Sequence, residues 1–460
     1  STIIVCIGKG EKRMDQSRKS TDLIYGSIAK SIFWFSIPLL IGNLFQQLYN
    51  TVDAYVVGNY VSKQALAAVG ASSPITNMLI GFFMGLATGA GVVIAQYYGA
   101  NDSKRLKQAI HSSAALTIVM AIFLTIVGVL FTNPLLHMIG IPADVFPESS
   151  TYLTIYFGGI TFALIYNMGA GVLRAVGDSK RPLYFLVAAC LTNIVLDLLL
   201  VRGFHMGVAG AAIATDVSQA LSALLVCIVL MKSDEVYALK IRKIRFHLPI
   251  LKRIIMIGLP TALQQSIVSL SNVVVQSYVN VFGSDVVAGY SATIRIDGFV
   301  NLPLQSFNMA ITTFVGQNIG AKRYDRVKRG SKIALWMTFA VVGAMTVFLF
   351  FFGRDVIRIF NSDQAVVEAG WKMLFAFLTC YMLLPIVQIY NGVLRGAGKS
   401  SIPMYIMVFN FVILRQIYLA IVTSMTSDVF FVFFGWPVTW ISAAIMFIIY
   451  YHKVLWLPDD

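Results

Sequence analysis

Residues 171–184 read GVLRAVGDSKRPLY and residues 392–405 read GVLRGAGKSSIPMY, with 8 of 14 positions identical at a separation of 221. The same interval recurs elsewhere. Gln96, Gly99 and Ala100 match Gln317, Gly320 and Ala321, while Arg105 and Lys107 match Arg326 and Lys328. Pro38 pairs with Pro260 after a slip of one residue. The chain therefore holds two related halves of about 220 residues. Repeats of this length imply a cleft between related bundles, an arrangement common among transporters.

Hydrophobic residues make up 58% of the chain and charged residues 12%, whereas soluble domains carry about one-quarter charge. The apolar stretches are long enough to cross a hydrocarbon core of about 30 Å as helices. Spans are expected near 32–60, 65–95, 109–131, 149–171, 182–201, 206–231, 250–281, 285–314, 332–352, 369–393, 401–424 and 428–451. The expected fold is an all-α integral membrane protein of about twelve transmembrane helices. They form two six-helix bundles related by a pseudo-two-fold axis along the membrane normal. The expected boundaries are a cytoplasmic segment 1–31, a first lobe 32–231, a linker 232–249, a second lobe 250–453 and a short cytoplasmic tail 454–460.

Charge placement supports that count. Of the 35 Lys and Arg, 28 fall in loops on one side and 5 on the other, with Arg295 and Arg415 inside spans. The basic side is cytoplasmic by the positive-inside rule, and an even number of spans puts both termini there. The net charge of +14 is thereby assigned to the cytoplasmic rim, and nucleic acid is not an expected partner. Cys6, Cys190, Cys227 and Cys380 lack metal-ligand spacing and read as small apolar residues. No cleavable signal is visible, because the apolar run at 2–7 is too short. Met14 opens a short polar segment leading into the first span, so the natural start is expected there, with residues 1–13 preceding it.

Ionisable groups within spans are costly and mark function by default. Four acids fall at mid-span: Asp53, Asp197, Asp216 and Asp297; no histidine does. Gln46, Asn50 and Asp53 share one face of the first helix, and Asn193 and Asp197 share one face of the fifth. Asn167 and Thr215 add neutral oxygens at similar depth. The repeat counterparts of Asp53 and Asp197 are Val275 and Tyr418, so the second half lacks these acids. Its first helix keeps a neutral polar face at Gln265, Ser269, Asn272 and Gln276, and the expected polar lining of a substrate cleft is Gln46, Asn50, Gln265, Asn272 and Gln276. Two carboxylates in a low-dielectric cavity are suited to proton uptake, and with Asn193 and Thr215 they are equally suited to ligating Na⁺. Interhelical hydrogen bonding is the structural alternative for each of these groups. Asp297 is expected to pair with Arg415 or Arg295, since buried charges need partners. Asp216 faces either a cavity or a neighbouring helix. In the repeated GVLR…G…P element the Gly and Pro read as a tight cytoplasmic turn, with Arg174 and Arg395 as anchors that pin the helix ends to the interface.

These residues resemble the multidrug and toxic compound extrusion (MATE) family, in its bacterial form. The resemblance covers nearly all of residues 30–455 and rests on NTVDAYVVG (50–58), ALAAVGASSPI (65–75), AQYYGA and GQNIGA (95–100 and 316–321), LTNIVLDLLL (191–200) and GAAIAT (210–215). It also rests on the repeated GVLR element. It implies an antiporter of two six-helix lobes that expels organic, often cationic, drugs from the bacterial inner membrane in exchange for H⁺ or Na⁺. In the subgroup with an acidic amino-terminal lobe, the matching positions are Asp53, Asn167, Asn193, Asp197 and Thr215. The other bacterial subgroup places acids in the seventh and tenth spans, where this chain reads SIVSL (266–270) and MLLPIVQ (382–388).

The expected protein is a multidrug-efflux antiporter, not an enzyme, that confers antibiotic resistance and works as a monomer in the lipid bilayer on small organic substrates. It is expected to need no cofactor, and no metal beyond Na⁺ at the coupling site. A flippase for lipids or lipid-linked sugars of related architecture is the alternative, but it would want a strongly cationic cavity for pyrophosphate, and only Arg295 and Arg415 are available within the spans.

Overall fold

Every regular element among the described residues is helical, the form that satisfies each backbone N–H and C=O internally in a bilayer. The computed structural model describes residues 22–454 except Ile139 and Ser427, without the side chains of Lys63 and residues 71–75. The expected start at Met14 and all of the tail but Val454 lie outside the described residues.

The helices are α1 (Ile28–Tyr60), α2 (Lys63–Gly99), α3 (Ser103–Met138), α4 (Phe146–Ala175), α5 (Lys180–Asp197), α6 (Gly207–Lys232), α7 (Leu248–Asn280) and α8 (Ser284–Gly320). They continue with α9 (Tyr324–Phe360), α10 (Gln364–Leu378), α11 (Leu384–Gly396), α12 (Ser401–Val408), α13 (Arg415–Met425), α14 (Val429–Phe433) and α15 (Gly435–Lys453). Two wider π-helical stretches extend them, Leu198–Gly203 after α5 and Phe409–Leu414 between α12 and α13. Eleven helical spans among the described residues are long and apolar enough to cross a membrane. The expected eighth span is present as the 37-residue α8. It is not among the eleven: Asp285, Arg295 and Asp297 fall in its first half, and Asn301, Gln305 and Asn308 dilute the uncharged second half.

The repeated turn is built identically twice. Gly177 (φ 95°) and Gly398 (φ 80°) take the left-handed conformation that closes α4 and α11, a position that favours glycine. In each copy the glycine N–H donates to the carbonyl of the conserved arginine, Arg174 or Arg395, at 2.9 Å. Arg395 is not an interfacial anchor: it is 8% exposed and donates to Asn391 Oδ1 at 3.1 Å. Arg174 is half-buried.

Two compact units emerge, one spanning residues 41–262 and the other residues up to Leu40 together with those from Leu263 onward. In the first, α4 packs against α2, α3 and α6, and α5 lies against α6. Phe83, Ile94, Leu153, Phe157 and Leu164 are fully buried there. Gly85 and Gly89 let α2 approach α7 closely, since a Cβ at either would collide with the backbone at Ala262 or Gly258. In the second unit, α8 packs against α9, α10 and α11. One core gathers Val300, Met373, Phe377 and Trp440, and another gathers Ile32, Phe35, Phe314, Leu394 and Phe447.

The units part inside two helices, not in the 232–249 segment. Both points fall two residues after the repeated prolines, Pro38 in α1 and Pro260 in α7. The physical reason lies in burial. Ile32, Phe35 and Leu39 of α1 join the core that contains Phe314, while Ile254 and Ile257 of α7 join the core that contains Phe83. Each proline lacks an N–H and interrupts the helical ladder just before the crossing.

Candidate functional site

The acids of the first unit converge. Asp53 on α1 is 7% exposed, Asn193 and Asp197 on α5 are fully buried, and Thr215 on α6 is 4% exposed. Asp53 and Asp197 lie within electrostatic reach of each other. Tyr49, one turn before Asp53, reaches both carboxylates electrostatically, and its hydroxyl donates to Thr215 Oγ1 at 3.1 Å. Among the described residues, Oδ1 of Asp53, both carboxylate oxygens of Asp197 and both amide atoms of Asn193 have no hydrogen-bond partner. Buried polar atoms are nearly always paired, so a cluster of orphans is a strong departure from the norm.

The local sequence produces this arrangement in simple steps. Asn193 and Asp197 are one turn apart on α5, and the helix widens into its π-helical stretch immediately after Asp197. Such widenings recur at functional sites because they re-aim side chains without ending the helix. On α6, Thr215 is buried and its neighbour Asp216 is half-buried. The Asp216 carboxylate sits directly over Gly159 of α4, where a Cβ would overlap it. Tyr152 and Tyr156 stack one turn apart on α4; Tyr152 interacts electrostatically with Asp53 and Asp216, and Tyr156 with Asp216. Three carboxylates and three tyrosines from α1, α4, α5 and α6 thus form one polar cluster.

The remaining expected residues have surroundings of their own. Asn167 is half-buried and its amide donates to Ala163 O, a bond within its own helix. Gln46 and Asn50 are exposed while Asp53 at the end of their stripe is buried. In the second unit Gln265 is exposed, Gln276 donates to Asn280 Oδ1 at 2.9 Å, and Asn272 Oδ1 accepts from Arg415 at 2.9 Å. The expected pairing of Asp297 with Arg415 or Arg295 is not found among the described residues. Asp297 instead accepts from Tyr381 (3.0 Å) and Asn301 (2.9 Å). Arg415 is 1% exposed, held between the rings of Phe411 and Trp436 at 5.1 and 5.6 Å. Arg295 is exposed. Neutral donors hold Asp297, while one side-chain acceptor and two aromatic faces meet Arg415, whose Nε has no hydrogen-bond partner among the described residues.

The sequence reading missed Tyr49, Tyr152, Tyr156 and Gly159. Tyrosines on apolar helices look like core, but Tyr49 lies at i−4 from Asp53, on the same helix face. That spacing was the available signal.

Comparison with known proteins places this architecture. The chain is 29% identical over 392 residues to the probable multidrug resistance protein YoeA of Bacillus subtilis, covering 83% of this chain and 84% of that protein. It is 23% identical to the multidrug export protein MepA of Staphylococcus saprophyticus, covering 81% and 83%. An outward-facing structure of a multidrug resistance MATE family transporter superposes with a TM-score of 0.86 at 25% identity, covering 93% of this chain and 96% of that one. A MOP superfamily transporter from Pyrococcus furiosus superposes with a TM-score of 0.89 at 24% identity, covering 96% and 99%. The MatE family model matches residues 38–199 and again residues 260–422, once in each repeat. The chain belongs to the MatE family and is a multi-pass membrane transporter of that family.

Proposed function

We propose that this chain exports organic, often cationic, compounds across the bacterial inner membrane in exchange for H⁺ or Na⁺, with the coupling ion held by the acids of residues 41–262. The observation that carries the reading is the set of buried, unpartnered oxygens on Asp53 and Asp197 beside the Asn193 amide. An ionised carboxylate out of water and without a partner costs several kcal/mol, of order 5 or less after relaxation. A proton removes that charge; a sodium ion balances it with oxygen ligands from Asp53, Asn193, Asp197 and Thr215. The Asn167 amide N–H is taken by Ala163 O, which leaves its Oδ1 as a further oxygen for the ion. The names of YoeA, MepA and the outward-facing multidrug resistance MATE family transporter support export of drugs as the cargo.

Coupling needs only that ion and cargo bind two states with different affinity. In this reading, ion binding at Asp53 and Asp197 shifts α1, and the breaks at Pro38 and Pro260 are the hinges about which the units rock. The cargo then leaves outside, the ion is released to the cytoplasm, and the ionised cluster favours the next cation. The protein acts as a monomer with both termini cytoplasmic.

The test is uphill movement of ethidium in proteoliposomes, with a pH gradient and a Na⁺ gradient imposed separately. One gradient alone should drive transport and so name the ion. Transport indifferent to both gradients would refute the antiport reading.

A further inference from the structure

Between α6 and α7, residues 233–247 fold back onto the start of α3. Lys240 N donates to His111 Nε2 at 3.2 Å, and His247 N donates to Ser112 Oγ at 3.1 Å. Both acceptor residues are buried, His111 at 4% exposure and Ser112 at none. Leu239 N closes the fold-back onto Leu230 O at 2.8 Å. The result is a cavity of about 680 Å³, within the range that holds small ligands. Helix α3 contributes Lys104 and Lys107 to its wall, and α6 contributes Lys232. The folded segment adds Lys240, Arg242, Lys243 and Arg245, against which stand only Asp234 and Glu235.

Setting the orientation of a membrane protein requires Lys and Arg in a loop, in any arrangement. It does not require them to be fixed by buried hydrogen bonds around a concavity. Among the described residues none of these seven cations makes an ion pair. A concave wall dominated by one sign, here seven cations against two acids, focuses the field and concentrates counter-ions. The other repeat provides the contrast. At the equivalent helix start, Arg326 donates to Gly26 O at 2.7 Å and Arg323 donates to Ile24 O at 2.9 Å, so those cations are satisfied by the chain itself.

We propose that the cavity walled by α3, the end of α6 and residues 233–247 binds a phosphate-bearing anion. That chemistry is shared by an anionic phospholipid headgroup and a soluble polyphosphate. Phosphate oxygens match Arg and Lys donors directly, and several cations at one surface make the attraction cumulative.

The test uses the full chain purified in micelles of an uncharged detergent. Native mass spectrometry measures retention of added cardiolipin, and a parallel arm titrates inorganic pyrophosphate. Two variants remove the same charge: Lys240→Gln with Arg242→Gln inside the cavity, and Arg329→Gln with Lys332→Gln on α9, outside it. Lys243→Gln with Arg245→Gln serves if the first pair fails to fold. The cavity variant should lose anion binding by about tenfold or more, with the α9 variant within about twofold of the unaltered protein. Selective retention of cardiolipin assigns the site to a lipid headgroup; saturation by pyrophosphate at submillimolar concentration assigns it to a soluble phosphate. Binding of neither anion, or equal losses in the two variants, would overturn the proposal.

Discussion

The two units bury charges of different sign. In residues 41–262, Oδ1 of Asp53, both carboxylate oxygens of Asp197 and the amide of Asn193 are buried without a partner among the described residues. At the matching places in the other unit stand Val275, fully buried, and Tyr418, whose hydroxyl donates to Phe431 O at 2.9 Å. That unit instead hides Arg415 between two aromatic rings and Asp297 under Tyr381 and Asn301. Duplication preserved the helices, the left-handed glycines and the prolines, while the buried polar groups diverged. Among the described residues, the first unit leaves carboxylate oxygens without a partner, whereas the second leaves guanidinium nitrogens, Nε of Arg395 and of Arg415.

Substitutions can break or sharpen that contrast. Asp197→Asn should lower ion-driven export about a hundredfold, equivalent to ~3 kcal/mol of lost coupling, measured as initial efflux rates at equal protein in the membrane. Val275→Asp would place a carboxylate at a fully buried apolar site and should destabilise the protein by about 3 kcal/mol without adding a second coupling site. Thermal unfolding in detergent and the ion-to-cargo ratio check the two parts. Gly159→Ala inserts a Cβ where the Asp216 carboxylate sits, and should shift the ion concentration for half-maximal transport by roughly tenfold. Tyr49→Phe removes the donor to Thr215 and should weaken ion dependence about fivefold, the worth of one hydrogen bond. Tyr418→Phe, its foil in the other unit, should leave transport within about twofold.

Much of this contrast could be read from the chain itself. The GVLR…G…P repeat predicted two equivalent turns, and both adopt the same bonds and the same positive φ. The absence of acids at Val275 and Tyr418 was visible by counting residues. The division of α1 and α7 between the units was not, because composition reports burial but not which neighbours provide it. Ile32 and Phe35 look like any other membrane-facing residues until the core around Phe314 is seen. The pairing expected for Asp297 failed for a related reason: a charge requirement names the need for a partner, and Tyr381 and Asn301 meet it as well as an arginine would. Asn167 shared depth with the cluster in sequence, yet its amide bonds within its own helix. Tyr49 was hidden by its type and disclosed by its spacing.

The most direct measurement is gradient-driven accumulation of ethidium by everted membrane vesicles that carry Asp53→Asn, at expression equal to the unaltered protein. Asparagine keeps the volume and removes the exchangeable charge. The account predicts that uphill accumulation disappears while the protein remains folded in the membrane. Accumulation at the unaltered rate would contradict it.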